Sequence, residues 1–384
     1  MKKIRLIPFY MFLLFYSLFC SASNWHIGKI TSTRHGEWYR VSCYIVDQEI
    51  WFESPLPLNP TGEAFANLLI LPALEMGKDI YLDFPVDRQW FENVQKLISV
   101  YHEWWGTPLR NPFIVTSFRN NEKKRLNKVG SCFSCGVDSY HTLLCENYPI
   151  DFLVCVHGLD IPLADEIKFS TLSEEIKKIC RILNKQPLFI RTNVRNHPVI
   201  SSLDWGEKMC GPVLGAIGLL SSFHIGQLVI PGSSGNTIRK DFRWGSHWRT
   251  DPFHSSSFSE IIHPEEADKI DRRLKIALIS THPLVKENLR VCWEGRNSWN
   301  CSQCTKCVYT MVDLCASNAL EDFHQVFDLS IPLIKRIDGL ERISTESFFF
   351  HYYSIQQQDL PDNIQSSLQK LMGRSLQKIS QEIR

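Results

Sequence analysis

The sequence has almost no net charge. Its 42 lysines and arginines nearly cancel 41 aspartates and glutamates, leaving +1 over 384 residues. A general nucleic-acid binder carries a basic excess or stripe, so that class is not expected. Internal repeats and low-complexity tracts are also missing, which sets aside solenoids and disordered linkers. The apolar run at residues 6–19 stops short of the roughly 20 residues a membrane-spanning helix needs, so no membrane partner is expected.

What is present describes a globular protein. Apolar residues make up 44% and charged residues 22%, and the length suits two ordinary domains or one large one. There are 13 cysteines, an odd number, and four crowd between Cys292 and Cys307. In a chain this long that reads as a metal site in a reducing compartment rather than a disulfide framework. The N-terminus conflicts with that compartment. A basic start at Lys2-Lys3, the apolar run and the small residues Ser21-Ala22-Ser23 resemble a secretory signal. An upstream start or an apolar segment packed on the body competes with export. A cytoplasmic location is expected, because zinc-thiolate and ATP chemistry belong there.

Residues 24–120 are expected to form an α+β accessory unit that recognises substrate or a protein partner. Aromatic and β-branched residues at 38–46 and 49–52 read as paired strands. Residues 62–76 and 90–105 read as helices, and the prolines at 55, 57 and 60 mark a loop. The polar stretch at 120–127 is the best domain junction. From 128 to 316 short apolar strands alternate with helices, the pattern of a parallel sheet covered on both faces. Residues 317–384 read as a helical tail.

The first of those strands runs into Ser134-Cys135-Gly136-Val137-Asp138-Ser139 and then a helix. A loop there aims backbone N–H groups at an anion, and the helix start adds partial positive charge. Ser134 and Ser139 offer hydroxyls, Gly136 permits close approach, and Asp138 is expected to cap the loop or hold Mg²⁺. A plain strand-to-helix turn is the alternative. No lysine follows in the pattern of the loop that cradles β- and γ-phosphates. Gly232 and Ser233 follow a later strand, on the expected same rim. Asp251 and His247 sit in a polar, aromatic stretch and are candidates for proton transfer.

Cys292, Cys301, Cys304 and Cys307 have the spacing C-x8-C-x2-C-x2-C. Four thiolates suit a closed, tetrahedral, structural zinc site.

The two motifs together resemble the PP-loop ATP pyrophosphatases, and among them 7-cyano-7-deazaguanine synthase of queuosine-precursor synthesis. The resemblance covers roughly residues 129–314 and rests on Ser134, Gly136, Val137, Asp138 and Ser139 with the four cysteines. It implies a parallel, Rossmann-like α/β fold with a zinc knuckle. It also implies a ligase that splits ATP to AMP and pyrophosphate, activating a small carboxylate, such as a deazapurine acid, for attack by ammonia. On that reading Ser134, Cys135, Gly136, Val137, Asp138, Ser139, Gly232 and Ser233 bind ATP with its Mg²⁺. Asp138, Ser139 and Asp251 serve the chemistry. The sequence departs from the family where Cys135 replaces a glycine. A residue with a Cβ resists positive φ, so either an altered loop or a weakened ATPase is expected. Cys135 also raises sulfur transfer as an alternative, and an inactive nucleotide-binding module of a complex is another.

Overall fold

A computed structural model describes residues 24–119, 125–233, 243–292, 294, 298–343 and 360–382. The signal-like residues 1–23 and most of the expected junction lie outside them.

The N-terminal part contributes β1 (Trp25–Ile27), β2 (Thr31–His35), β3 (Trp38–Ile45) and β4 (Gln48–Ser54). Strands β3 and β4 pair antiparallel, as their aromatic and β-branched content predicts. Their turn places Val46 and Asp47 at φ of 48° and 61°, the doubly left-handed geometry of a tight hairpin. The helix expected over 62–76 is two helices, α1 (Gly62–Asn67) and α2 (Ile70–Met76). Pro72 explains the break: it has no N–H to give the carbonyl of Leu68. Three short strands, β5 (Ile80–Leu82), β6 (Val86–Asp87) and β7 (Phe113–Val115), surround α3 (Arg88–Trp105), and β8 (Phe118–Arg119) follows. Helix α3 starts where Asp87 accepts from Trp90 N and ends at Gly106, φ 68°. Its buried residues Trp90, Val94, Leu97, Ile98, Tyr101 and Trp104 form one stripe.

The second part alternates as the apolar pattern predicts. It runs β9 (Val129–Cys132), α4 (Val137–Cys145), β10 (Ile150–His157), α5 (Glu166–Leu183), β11 (Gln186–Thr192), α6 (Cys210–Leu220), β12 (Gln227–Val229) and β13 (Glu260–Ile262). Ile270 is extended, and Asp271 caps α7 (Arg272–Ile279) by accepting from Arg273 N. Then come α8 (Pro283–Asn288), α9 (Thr305–Ala316), α10 (Leu333–Gly339) and α11 (Asp362–Glu382).

Mixed α/β structure with a parallel sheet is therefore present. The main sheet has the order β13-β12-β9-β10-β11-β4-β3-β2. The first five strands are mutually parallel. Numbered by chain order among themselves they read 5-4-1-2-3. The remaining three join antiparallel, with β4 beside β11. Residues 31–54 thus extend the same sheet that residues 129–262 build. Helices cover both faces. Phe152 and Val154 of β10 point into a core shared with residues 25–113, while Leu153 and Cys155 point into a second core with α5, α7 and α9.

Candidate functional site

From β9 the chain winds outward to β10 and β11, then returns past β9 to β12 and β13. Strand order reverses between β9 and β12. In open parallel sheets ligands bind outside the carboxyl ends of the strands at such a point. Two loops stand there: residues 133–136 after β9, and residues 230–233 after β12.

Cys135 adopts φ 60°, the left-handed region. This corrects the expectation that its Cβ would divert the loop: the backbone takes a glycine-like path despite the side chain, at a cost of about 1 kcal/mol. The compensation is burial. Cys135 has no exposed surface and packs with Phe133, Tyr140 and Cys155 in the second core. Burial also pushes its thiol far above the usual range.

Gly136 opens α4, and no side-chain hydrogen bond caps that helix start. A Cβ on Gly136 would stand 3.2 Å from Ser134 Oγ, 3.7 Å from Arg290 O and 4.0 Å from Ser139 Oγ. Both hydroxyls therefore flank the space that glycine leaves open. Ser139 Oγ donates to Gly136 O at 2.9 Å, so its hydrogen is committed within the turn. The uncapped N–H groups of the first helical turn carry partial positive charge.

Asp138 faces Lys275 Nζ at 3.1 Å and Arg272 at 3.6 Å, both from α7. Burial opposes its ionisation, but these two cations outweigh burial and hold the carboxyl below its usual range. Lys275 Nζ also donates to Gly232 O at 2.6 Å. One fully buried ammonium thus ties the loop after β12 to the loop after β9.

Three cations near this loop carry no local signal in the sequence. Arg272, Lys275 and Arg290 are all more than nine-tenths buried. Lys306 lies near enough to Arg272, Asp160, Asp138 and Arg290 to feel their charges. Burial first, and Arg272 second, push its ammonium down to about 8. Arg290 Nε and Nη2 are buried without a hydrogen-bond partner. Locally these residues look like ordinary helix and loop charges; only the tertiary fold gathers them. Buried, unpaired guanidinium N–H groups are donors that an anion such as phosphate would satisfy.

The four predicted cysteines converge. Their sulfurs all lie within 4.8 Å of one another, and Cys292–Cys304 and Cys301–Cys307 are both 3.9 Å apart. Tetrahedral zinc with bonds of about 2.3 Å sets sulfurs about 3.8 Å apart. A disulfide would need about 2.05 Å, so these are free thiols. The cluster can hold a metal such as zinc. Hydrogen bonds from Cys301, Cys304 and Cys307 hold the Cys292 thiol far down, while those with Cys292, Cys301 and Cys304 push Cys307 far up. Four thiolates cannot coexist there without a cation. Ser302 takes φ 60° to close the Cys301–Cys304 turn, and its carbonyl accepts from Arg336 at 2.8 Å.

Cysteine cluster and loop are neighbours. Arg290 N donates to Cys135 O at 2.8 Å. Asn300, just before Cys301, accepts from Val291 N and Cys292 N and donates to Leu289 O. In the sequence Asn300 reads only as a turn-compatible spacer of the cysteine motif.

The structure does not gather every candidate. Gly232 is joined to the loop through Lys275; residues 234–242 lie outside the described residues. Asp251 is fully buried in a separate group, where its Oδ2 accepts from Ser246 Oγ at 2.6 Å and His263 Nδ1 at 2.7 Å. No contact ties it to Asp138 or Ser139. His247 Nδ1 accepts from Arg249 N, and its ring meets the Trp104 edge at 5.0 Å. It holds a turn. No protein-family model, no curated protein and no solved structure matches this chain.

Proposed function

We propose that this chain is an ATP-dependent ligase of the PP-loop pyrophosphatase type, forming AMP and pyrophosphate as it activates a carboxylate for attack by ammonia or an amine. The observation that carries this reading is a cation set at the reversal of strand order, the buried Arg272, Lys275 and Arg290 with the half-buried Lys306, close to an uncapped helix start. Such a set fits a polyphosphate, which is rich in negative charge and acceptor oxygens.

In this reading the Gly136 opening takes a phosphate group. Ser134 Oγ donates to its oxygens, as do the first N–H groups of α4. Arg290 supplies the unpaired donors on the other side. Lys275 fixes Asp138 and Gly232, so the two loops present one surface. ATP, with Mg²⁺ on its phosphates, supplies the adenylyl group. The carboxylate oxygen attacks the α-phosphorus, and pyrophosphate leaves. Ammonia then displaces AMP from the acyl carbon to give an amide. Zinc at the four cysteines is structural, since four thiolates leave no open position.

The sulfur-transfer alternative needs a reactive thiol near the nucleotide. Cys135 is fully buried with its thiol raised, which counts against it.

The test is incubation of the zinc-loaded chain with ATP, ammonium and a panel of small carboxylic acids, deazapurine acids among them. Acid-dependent release of AMP and pyrophosphate is expected. Release of ADP, or no ATP binding by calorimetry, overturns the reading.

A further inference from the structure

The metal cluster and the anion loop share a wall. Arg290 precedes the first cysteine ligand by two residues, and Lys306 sits between the third and fourth. Both cations therefore ride on the segment whose path the metal would fix. Arg290 is 6% exposed, yet Nε and Nη2 of its guanidinium find no partner. It lies within electrostatic reach of Cys135, Cys155 and Lys306, at the carboxyl ends of β9 and β10. Burying such donors unpaired is costly, about 1–3 kcal/mol for an ordinary group and more for a charged one. A site that receives an anion recovers that cost when the anion binds.

The route between the two sites is continuous. Cys301 is preceded by Asn300, whose amide clamps Leu289, Val291 and Cys292 by three hydrogen bonds of 2.8–3.1 Å. The clamped segment includes Arg290, whose N–H holds the left-handed Cys135 at its carbonyl. A change in the thiolate cluster thus reaches both the guanidinium and the loop backbone within a few bonds.

We propose that metal binding by Cys292, Cys301, Cys304 and Cys307 sets the affinity of the loop for phosphate, by holding Arg290 and Lys306 in place beside the loop. This deepens the reading of the loop as a polyphosphate site and rests on it. The metal then does more than stabilise the fold. It pre-organises two donors that belong to the ligand site, as groups outside a first coordination shell commonly do in the other direction.

The test uses the full chain and inorganic pyrophosphate, titrated by calorimetry. Four states are compared with the zinc-loaded protein: Arg290→Ala, Arg290→Lys, Asn300→Ser, and protein stripped of zinc by a chelator. Circular dichroism checks folding, and metal analysis checks zinc content. The expected result is a roughly ten-fold or greater loss of pyrophosphate affinity in Arg290→Ala, with zinc retained, and partial recovery in Arg290→Lys. The stripped, folded protein should lose affinity by a comparable factor. Should chelation unfold the chain, Asn300→Ser with zinc still bound decides, because it loosens the segment and leaves the thiolates in place. Unchanged affinity in Arg290→Ala, or in Asn300→Ser with zinc bound, overturns the coupling while the polyphosphate reading stands. Zinc-dependent pyrophosphate binding without ATP binding keeps the coupling and ends the nucleotide reading. No pyrophosphate binding by the zinc-loaded protein ends both.

Discussion

Lys275 Nζ lies 3.1 Å from Asp138 Oδ1 with its side chain wholly buried, on a helix 137 residues further along the chain. The same ammonium donates to Gly232 O, so three segments depend on one charge.

Replacing Lys275 by Met should therefore destabilise the fold by about 2–3 kcal/mol, somewhat below the range for a fully buried pair because Asp138 is partly exposed. Asp138→Asn in the same background should cost little more. The check is a double-mutant cycle by urea denaturation; additive losses would show that the pair is not coupled. The depressed Asp138 carboxyl contributes stability above the ordinary Asp range, and that contribution is lost as pH falls through its lower folded value.

His254 gives a pH signature of its own. Burial, resisted by Asp251, pushes its imidazole down to about 4. Its Nδ1 lies 3.2 Å from Asn67 Oδ1, and Nε2 has no partner. Between pH 6.5 and 4 the unfolded chain binds the proton and the folded chain does not, so stability falls as pH drops through that window. The contribution is on the order of 3 kcal/mol. Denaturation midpoints of wild type and His254→Gln across this window should differ in slope; equal slopes would assign the acid sensitivity elsewhere.

The thiolate cluster should bind about one equivalent of zinc, displaced by acid as the sulfurs protonate. Cys304→Ser should lower occupancy sharply and reduce the thermal midpoint. Metal analysis and calorimetry read both. A wild-type chain that purifies folded and metal-free, and takes up no zinc, would refute the site.

Cys135 tests the loop backbone. Cys135→Gly removes left-handed strain and also removes buried packing, so the net change should stay within about 1 kcal/mol. Cys135→Val puts a β-branched residue at φ 60° and should cost 2 kcal/mol or more. Thermal midpoints of the two variants order these effects. A Val variant as stable as wild type would mean that the loop relaxes out of the left-handed region.

Much of this was legible in the sequence because it is local. Apolar strands bounded by turn residues place β9 to β12, and close cysteine spacing marks a cluster that the fold does bring together. What escaped depends on distant chain meeting distant chain. Lys275 and Arg290 look like routine charges until α7 and the segment before Cys292 pack against the loop. Pro72 was a local signal within reach, dividing the stretch 62–76 that reads as one helix. The glycine-like path of Cys135 is written in no pattern. It follows from a side chain small enough to bury and a carbonyl that Arg290 holds.

The junction of β4 with β11 has a practical side. Thr192 Oγ1 donates to Trp51 O, and Asn193 bridges Trp51 N and Glu49 O, so the early hairpin seals what would otherwise be the border of the parallel strands. A shortened chain beginning near residue 125 would leave β11 with a bare row of peptide groups, an invitation to pair with another copy. Anyone preparing the nucleotide-loop half by itself should expect sticky, self-associating material, and the first hundred residues are best kept in place.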